Sequence, residues 1–369
     1  MKILYIIESL GKGGAERVLL TTLSEFVRQG HSCTVLALYA PYTMQQEFEE
    51  AGITVKNLHL KHRWCVLEAL KGIRVEVGCK SYDIIHAHLF FAHLYTGLLK
   101  RFFLPGLKTV VTLHNMGYDA DPAIGMIKKL RKKLDGWILR QAFQRKIAVS
   151  NAVKESFERN LDIKGIEVIA NGFMLDEMRA ANAITASPRS SNLFTFITPG
   201  RLVKEKGHRY LIDAVAELNR EFKNIRFIFA GSGPLNDDLR NQAASVSAAN
   251  IDFVGSLPQS DLFNEIAKAD AVVIPSLSEG FPMVVGEAMA LGKAVVTTNA
   301  GGIPDLIDQN INGIMVNPAD AEALAGVLRS IIKDETLRTR LGESAAKKSE
   351  QFDINYTSMQ IMNIYRELV

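Results

Sequence analysis

The sequence predicts an α/β protein made of two doubly wound domains, each a parallel sheet covered by helices on both faces. Three observations predict it. The chain has 369 residues, more than one hydrophobic core ordinarily serves, so about two domains are expected. Short β-branched apolar runs alternate with stretches of helical length and period along both halves, the pattern of parallel strands joined by helices. That alternation breaks once, over residues 171–192, where NG, a polar Ala/Asn/Ser stretch and SPRSSN carry little periodicity.

In the first half, strands are expected over residues 2–8, 33–38, 54–58, 83–88, 109–114, 146–150 and 167–170. Segments of helical period lie between most of them. Residues 15–29, for example, place Val18, Leu19, Leu23, Phe26 and Val27 on one face. The break at 171–192 sets the junction, giving an N-terminal domain over 1–170 and a C-terminal domain over 171–353. The same grammar resumes with strands over 193–199, 226–230, 251–254, 271–275, 294–298 and 313–316. The last segment, 354–369, contains an amphipathic stretch, and the sequence leaves open whether it crosses back onto the first domain. Gly-rich turns follow several strand ends, where open parallel sheets collect ligands, so the ligand cleft is expected between the domains.

Composition narrows the class. At 47% hydrophobic and 22% charged residues the chain is globular rather than disordered. No apolar run approaches the roughly 18 residues of a membrane span. The amino-terminal apolar run, residues 3–7, ends at Glu8 and reads as a buried strand, not a signal peptide. Cys33, Cys65 and Cys79 lie far apart without metal-ligand spacing, which fits a reducing, cytoplasmic setting. The net charge of +3 hides an asymmetry. Residues 1–170 carry 24 Lys/Arg against 16 Asp/Glu, whereas 171–369 carry 19 against 24.

Four stretches can carry chemistry. GKGGAER (11–17) follows the first strand and opens a helix; Gly13 and Gly14 would let backbone N–H groups approach a phosphate or sugar. It is not GxGxxG, so the dinucleotide fingerprint fails, and simple turn geometry is an equal reading. GRLVKEKG (200–207) brings a guanidinium, Arg201, and an ammonium, Lys206, into one glycine-flanked turn, a pairing suited to a diphosphate or to a solvated basic loop. DIIHAHL (83–89) points His86 and His88 to one strand face, with His88 at the carboxyl end as the proton or hydroxyl partner and His86 the structural member. His93 reads as a helix residue. SEGFPMVVGE (278–287) sets Glu279 in a loop and Glu287 on a helix over 283–291 that Pro282 introduces. The N–H groups of Phe281, Met283 and Val284 are expected to face the ligand beside Glu279. Donors with one acceptor suit sugar hydroxyls, and a second carboxylate suits a vicinal diol such as ribose.

The last stretch, extended to PSLSEGFPMVVGEAMALGKAVVTT, resembles the E-x7-E signature of retaining GT-B glycosyltransferases of family 4 (group 1). GGAER, DIIHAH, VSNAVKE, IANG, GRLVKEKG, FAGSGP, FVGSLP and GGIPDLI with NGIMV fit the same pattern, over about residues 2–350. The resemblance implies a GT-B architecture, two Rossmann-like domains facing across a cleft. It also implies sugar transfer with retention from a nucleotide sugar, a uridine diphosphate sugar by preference. Arg201 and Lys206 would neutralise the leaving diphosphate, and Glu287 would hold the ribose. Glu279 and the backbone of Phe281, Pro282 and Met283 would hold the donor sugar. His88 would stand beside that sugar, Gly13 and Gly14 would close over the phosphates, and Leu257 would meet the base. His88 and Glu279 are thus the catalytic-site residues, with no covalent role assigned to either.

No cofactor or metal is expected. Asp119 and Asp121 spell DxD, which binds a divalent metal in another glycosyltransferase fold, but they fall in a first-domain loop and read as ordinary acidic residues. Residues 128–146 combine Lys128, Lys129, Arg131, Lys132 and Lys133 with an apolar side of Ile127, Leu130, Leu134, Trp137, Ile138 and Leu139. That composition suits an anionic membrane surface, or a sheet-packed helix with solvated lysines. Nucleic acid is not expected, since basic and aromatic residues do not interleave. The acceptor is expected to be a glycan or lipid-linked intermediate. Two rivals are a non-catalytic nucleotide-sugar-binding subunit of the same fold and a GT-B sugar-nucleotide epimerase. The first could dispense with His88; the E-x7-E run argues against the second.

Overall fold

The structure, a computed structural model, describes all residues except 120–124, 185–192, 247 and 249, and describes no side chains for 126–128 and 180–184. The chain divides into two compact units, Met1–Gly172 with Ile354–Val369, and Phe173–Asp353.

The first unit holds a parallel seven-stranded sheet. Its strands are β1 (Lys2–Ile7), β2 (Ser32–Ala37), β3 (Thr54–Asn57), β4 (Ile84–His88), β5 (Thr109–Leu113), β6 (Arg145–Ala148) and β7 (Ile166–Val168). They run in the order β3-β2-β1-β4-β5-β6-β7. Five consecutive residues of β1 are buried, as both faces of a doubly covered sheet require. Strand order reverses between β1 and β4, where Ile7 pairs in register with His88. The carboxyl-terminal helix Ile354–Arg366 belongs to this unit. The Tyr365 hydroxyl lies 2.8 Å from that of Tyr5 and 2.5 Å from His86 Nδ1, and Arg28 Nη2 donates to Asn355 Oδ1 at 2.8 Å. Tyr365 is fully buried, so aromatic burial and a polar tip together dock the helix.

The second unit holds six parallel strands, β8 (Phe194–Pro199), β9 (Ile225–Ala230), β10 (Ile251–Phe253), β11 (Ala271–Ile274), β12 (Ala294–Thr298) and β13 (Ile314–Val316). Their order is β10-β9-β8-β11-β12-β13, reversing between β8 and β11. Phe196 and Phe227 stack at 4.8 Å in its core.

One element departs from expectation. The stretch that reads as aperiodic contains a helix, Leu175–Ile184, in the second unit. Its Ala, Met, Leu and Glu residues are strong helix formers. Leu175 and Met178 are buried, and the helix packs on Gln259–Lys268 and Met283–Ala290. Alanine hides the periodicity because it contributes little to a hydrophobic stripe.

Candidate active site

In the second unit, the loops after β8 and β11 flank the point where strand order reverses, the place where open α/β sheets bind ligands. Gly207 makes their approach possible. It sits at φ +66°, and a Cβ there would lie 1.9 Å from the Pro275 carbonyl oxygen. The Leu277 N–H donates to the Glu205 carbonyl at 2.7 Å and ties the loops together. Lys206 Nζ consequently reaches Glu279 Oε1 at 2.5 Å. Ser276 Oγ, fully buried, donates to the same oxygen at 2.6 Å. Both donors therefore converge on Oε1. On the other side, Gly301 at φ +57° allows its backbone to close against the Glu279 carbonyl, which accepts from Gly302 N–H at 3.0 Å.

The turn at Pro282 starts the helix Met283–Ala290, whose first N–H groups have no intrahelical acceptor. The Phe281 ring is buried, stacked on Phe173 at 6.2 Å and edge-on to Phe352 at 6.1 Å. Its ring thus packs inside, leaving the backbone as its polar contribution. Phe173 also fills the space where a Cβ on Gly286 would stand, 2.0 Å from its Cζ. Glu287 is buried on the helix. Arg201 is exposed and makes no ion pair among the described residues. Leu257 is half-buried in the loop after β10, which a Ser232–Ser256 hydroxyl contact of 2.7 Å holds against the loop after β9.

The first unit gives its own reversal point a different chemistry. Gly13 is the N-cap of the helix Gly14–Arg28, but its lack of a side chain has a local reason: a Cβ would lie 2.3 Å from Glu16 Oε2. Gly14 is open, with nothing near an added Cβ. His88 is buried at the end of β4, and its Nδ1 lies 2.8 Å from Nε2 of His114. His88 Nε2 has no partner among the described residues. Burial, then the neighbouring His86 and His114 rings, hold the His88 imidazole well below its usual range. Burial lowers His114 to about 4 and, with the His114 charge as second cause, His86 to about 3. All three are neutral at pH 7. His86 is a satisfied structural group, bonded to Tyr365 and, at 2.8 Å, to Thr112 Oγ1.

His114 is a site residue that the sequence does not single out, since it reads there only as the end of a strand. It is half-buried just past β5 and lines a cavity of about 260 Å³ whose wall His88 does not reach. Its position at the carboxyl end of the strand beside β4 was the available signal.

The basic helix, Met126–Ala142, does not have the expected single apolar side. Ile138 and Leu139 are buried, whereas Leu130 is 69% and Leu134 40% exposed. The side chains of Ile127 and Lys128 lie outside the described residues. Asp119 is paired with Arg159 at 3.0 Å and with Asn160 at 2.7 Å; Asp121 lies outside the described residues. Among the described residues, no cluster of three or more His, Cys, Asp or Glu could hold a metal.

Two doubly wound parallel units, each with polar groups at its reversal point, are the architecture of the GT-B fold. Solved structures agree: the Anabaena protein HepE, solved with UDP-glucose, has a TM-score of 0.84 at 22% identity over all of both chains. Sucrose-phosphate synthase of Thermosynechococcus elongatus gives 0.82 at 18% identity, over 100% of this chain and 99% of that one. The family model described as "Glycosyltransferase Family 4" matches residues 12–177, and that described as "Glycosyl transferases group 1" matches 181–348. The chain belongs to this family and is a glycosyltransferase. It is also 24% identical to the alpha-D-kanosaminyltransferase of Streptomyces kanamyceticus, over 98% of this chain and 97% of that protein.

Proposed function

We propose that the protein moves a hexose or N-acetylhexosamine from a uridine diphosphate sugar, with retention, to a glycan or lipid-linked acceptor in cell-surface polysaccharide or glycoconjugate synthesis. The observation that carries this reading is the convergence of Lys206, Ser276 and Glu279, with the helix start at Met283, on the reversal point of the second unit. Arg201 and Lys206 offset the charge that builds on the departing diphosphate. Glu287 takes the ribose diol. Glu279, with its Oε1 already engaged, accepts from sugar hydroxyls through Oε2, and the backbone N–H groups of Phe281 and Met283, set by the turn at Pro282, donate to them. Leu257 lies against the base. In the first unit, His88 and His114 offer a ligand hydrogen bonds as neutral imidazoles. The choice of uridine draws support from HepE, a protein of the same fold solved with UDP-glucose.

With two cations placed for the diphosphate, no metal is required in this mechanism. Hydrolysis or transfer of UDP-sugars is therefore expected to persist in EDTA. Complete loss of turnover, restored by magnesium or manganese, would return Asp119 and Asp121 to the reaction.

The reading extends to a cytoplasmic site of action on an anionic membrane face. No helix among the described residues is long and apolar enough to cross a membrane. On the first unit, Leu130 and Leu134 are exposed beside Lys129 and Lys133. Phe102, 60% exposed, lies 6.0 Å from Trp137 and under the Arg101 guanidinium. Apolar tips among cations suit an interface of lipid headgroups. Binding to vesicles containing phosphatidylserine is expected to fall with salt, since attraction is screened within about 8 Å at physiological ionic strength. Equal binding to neutral vesicles would remove this part of the reading.

A further inference from the structure

The cavity beside His114 has walls that the donor reading does not use. It lies wholly within the first unit, and its volume of about 260 Å³ suits one sugar ring rather than a long glycan. Phe90, Tyr118 and Phe157 supply aromatic surface, and Tyr118 meets Phe157 edge-on at 5.6 Å. Asp135, the cavity's single acid among the described residues, is buried and already occupied. It accepts from His93 Nε2 at 2.5 Å and from the Tyr118 hydroxyl. Those bonds fix the two rings.

Two features then call for a ligand. His93 is 3% exposed, and its Nδ1 has no partner among the described residues. A buried polar atom left in this state is costly unless something arrives to satisfy it. The second feature is cationic. The Arg131 guanidinium lies over the Phe90 ring, 3.8 Å from its centroid, and makes no ion pair among the described residues. Lys132 Nζ donates to a neutral amide oxygen, Asn160 Oδ1, at 2.8 Å. Stacking on a ring directs the guanidinium N–H groups along its own plane, ready for two-point contact with an oxyanion.

We infer that this cavity is the acceptor subsite, and that it takes a pyranose bearing an acidic group. The inference rests on the transfer reaction proposed above. The sugar ring packs on Phe157 and Tyr118, its hydroxyls meet His93, His114 and Asn115, and its acidic group meets Arg131 and Lys132. The acid is either the sugar's own carboxylate or a phosphate attached to it, as in a lipid-linked sugar.

The test uses the full-length protein with the donor site saturated by UDP. Dissociation constants for glucose, glucuronate and glucose 1-phosphate are read by saturation-transfer NMR. At least one acid is expected to bind about tenfold more tightly than glucose, the effect of one hydrogen bond to a charged group. Which acid wins identifies the carboxylate or the phosphate source. In R131Q/K132Q the preference should vanish while UDP affinity is unchanged, and Phe157→Leu should weaken all three sugars. Equal binding of glucose and both acids overturns the inference, as does a preference that survives in R131Q/K132Q. Failure of UDP to bind in the same samples would instead overturn the donor reading, leaving the acid preference to be judged by itself.

Discussion

Glu279→Ala is expected to lower turnover about ten- to a hundredfold while UDP binds as well as to the wild type or more tightly. The factor corresponds to loss of one charge-assisted hydrogen bond of about 1.5–3 kcal/mol made to the reacting sugar. UDP carries no sugar and should not register that loss. The ion pair sharpens the expectation, because Lys206 is held by Glu279 at 2.5 Å and removing the carboxylate releases the ammonium for the diphosphate. The reciprocal change is not equivalent. Lys206→Ala leaves a carboxylate with 9% side-chain exposure, with Ser276 as its remaining side-chain donor among the described residues. Breaking one side of a buried pair costs about 3 kcal/mol or more, so this variant should lose stability and UDP affinity together. Steady-state kinetics, UDP titration and thermal melts on both variants separate the two cases. Parallel loss of turnover and UDP affinity in Glu279→Ala would make Glu279 part of the nucleotide grip instead.

The first unit is expected to lose stability steeply as pH falls from about 6.5 to about 4. Burial pushes the His86 imidazole down to about 3 and that of His114 down to about 4, from an ordinary value of about 6.5. A lowered histidine pKa means that the unfolded chain binds protons first. Stability is therefore full above the unfolded value and declines as pH drops toward the folded one. Each pH unit in that window costs about 1.4 kcal/mol per imidazole kept neutral, so His86 alone costs about 3 kcal/mol by pH 4. Both tryptophans, Trp64 and Trp137, lie in the first unit, so urea melts followed by their fluorescence report on it alone. His86→Gln should reduce the slope over this window by about one imidazole's share, with His88 and His114 supplying the rest. An unchanged slope would assign the acid sensitivity to carboxylates elsewhere.

Much of the fold is legible because parallel strands buried on both faces appear as unbroken apolar runs, as the buried residues of β1 and all of β11 do. Glycines mark the loops for a readable reason as well: Gly207 and Gly301 stand where a side chain would strike the backbone of Pro275 and Glu279. What is not legible depends on contacts distant in sequence. Lys206 and Glu279 are 73 positions apart, and nothing local shows that the ammonium proposed for the diphosphate also pairs with the sugar-side carboxylate. His114 escapes for the same reason, since its meaning comes from His88 on the neighbouring strand. The basic helix misleads because helical period identifies a stripe without saying which part a neighbouring helix covers; Ile138 and Leu139 pack inward while Leu130 and Leu134 remain outside.

The central claim is that the second unit holds a nucleoside diphosphate, with its ribose on Glu287. Calorimetric titration of the wild type and Glu287→Ala with UDP in EDTA tests it most directly. One site is expected in the wild type, with affinity about tenfold weaker or worse in the variant, the loss of one hydrogen bond to a charged group. A folded Glu287→Ala that binds UDP as tightly as the wild type would contradict it.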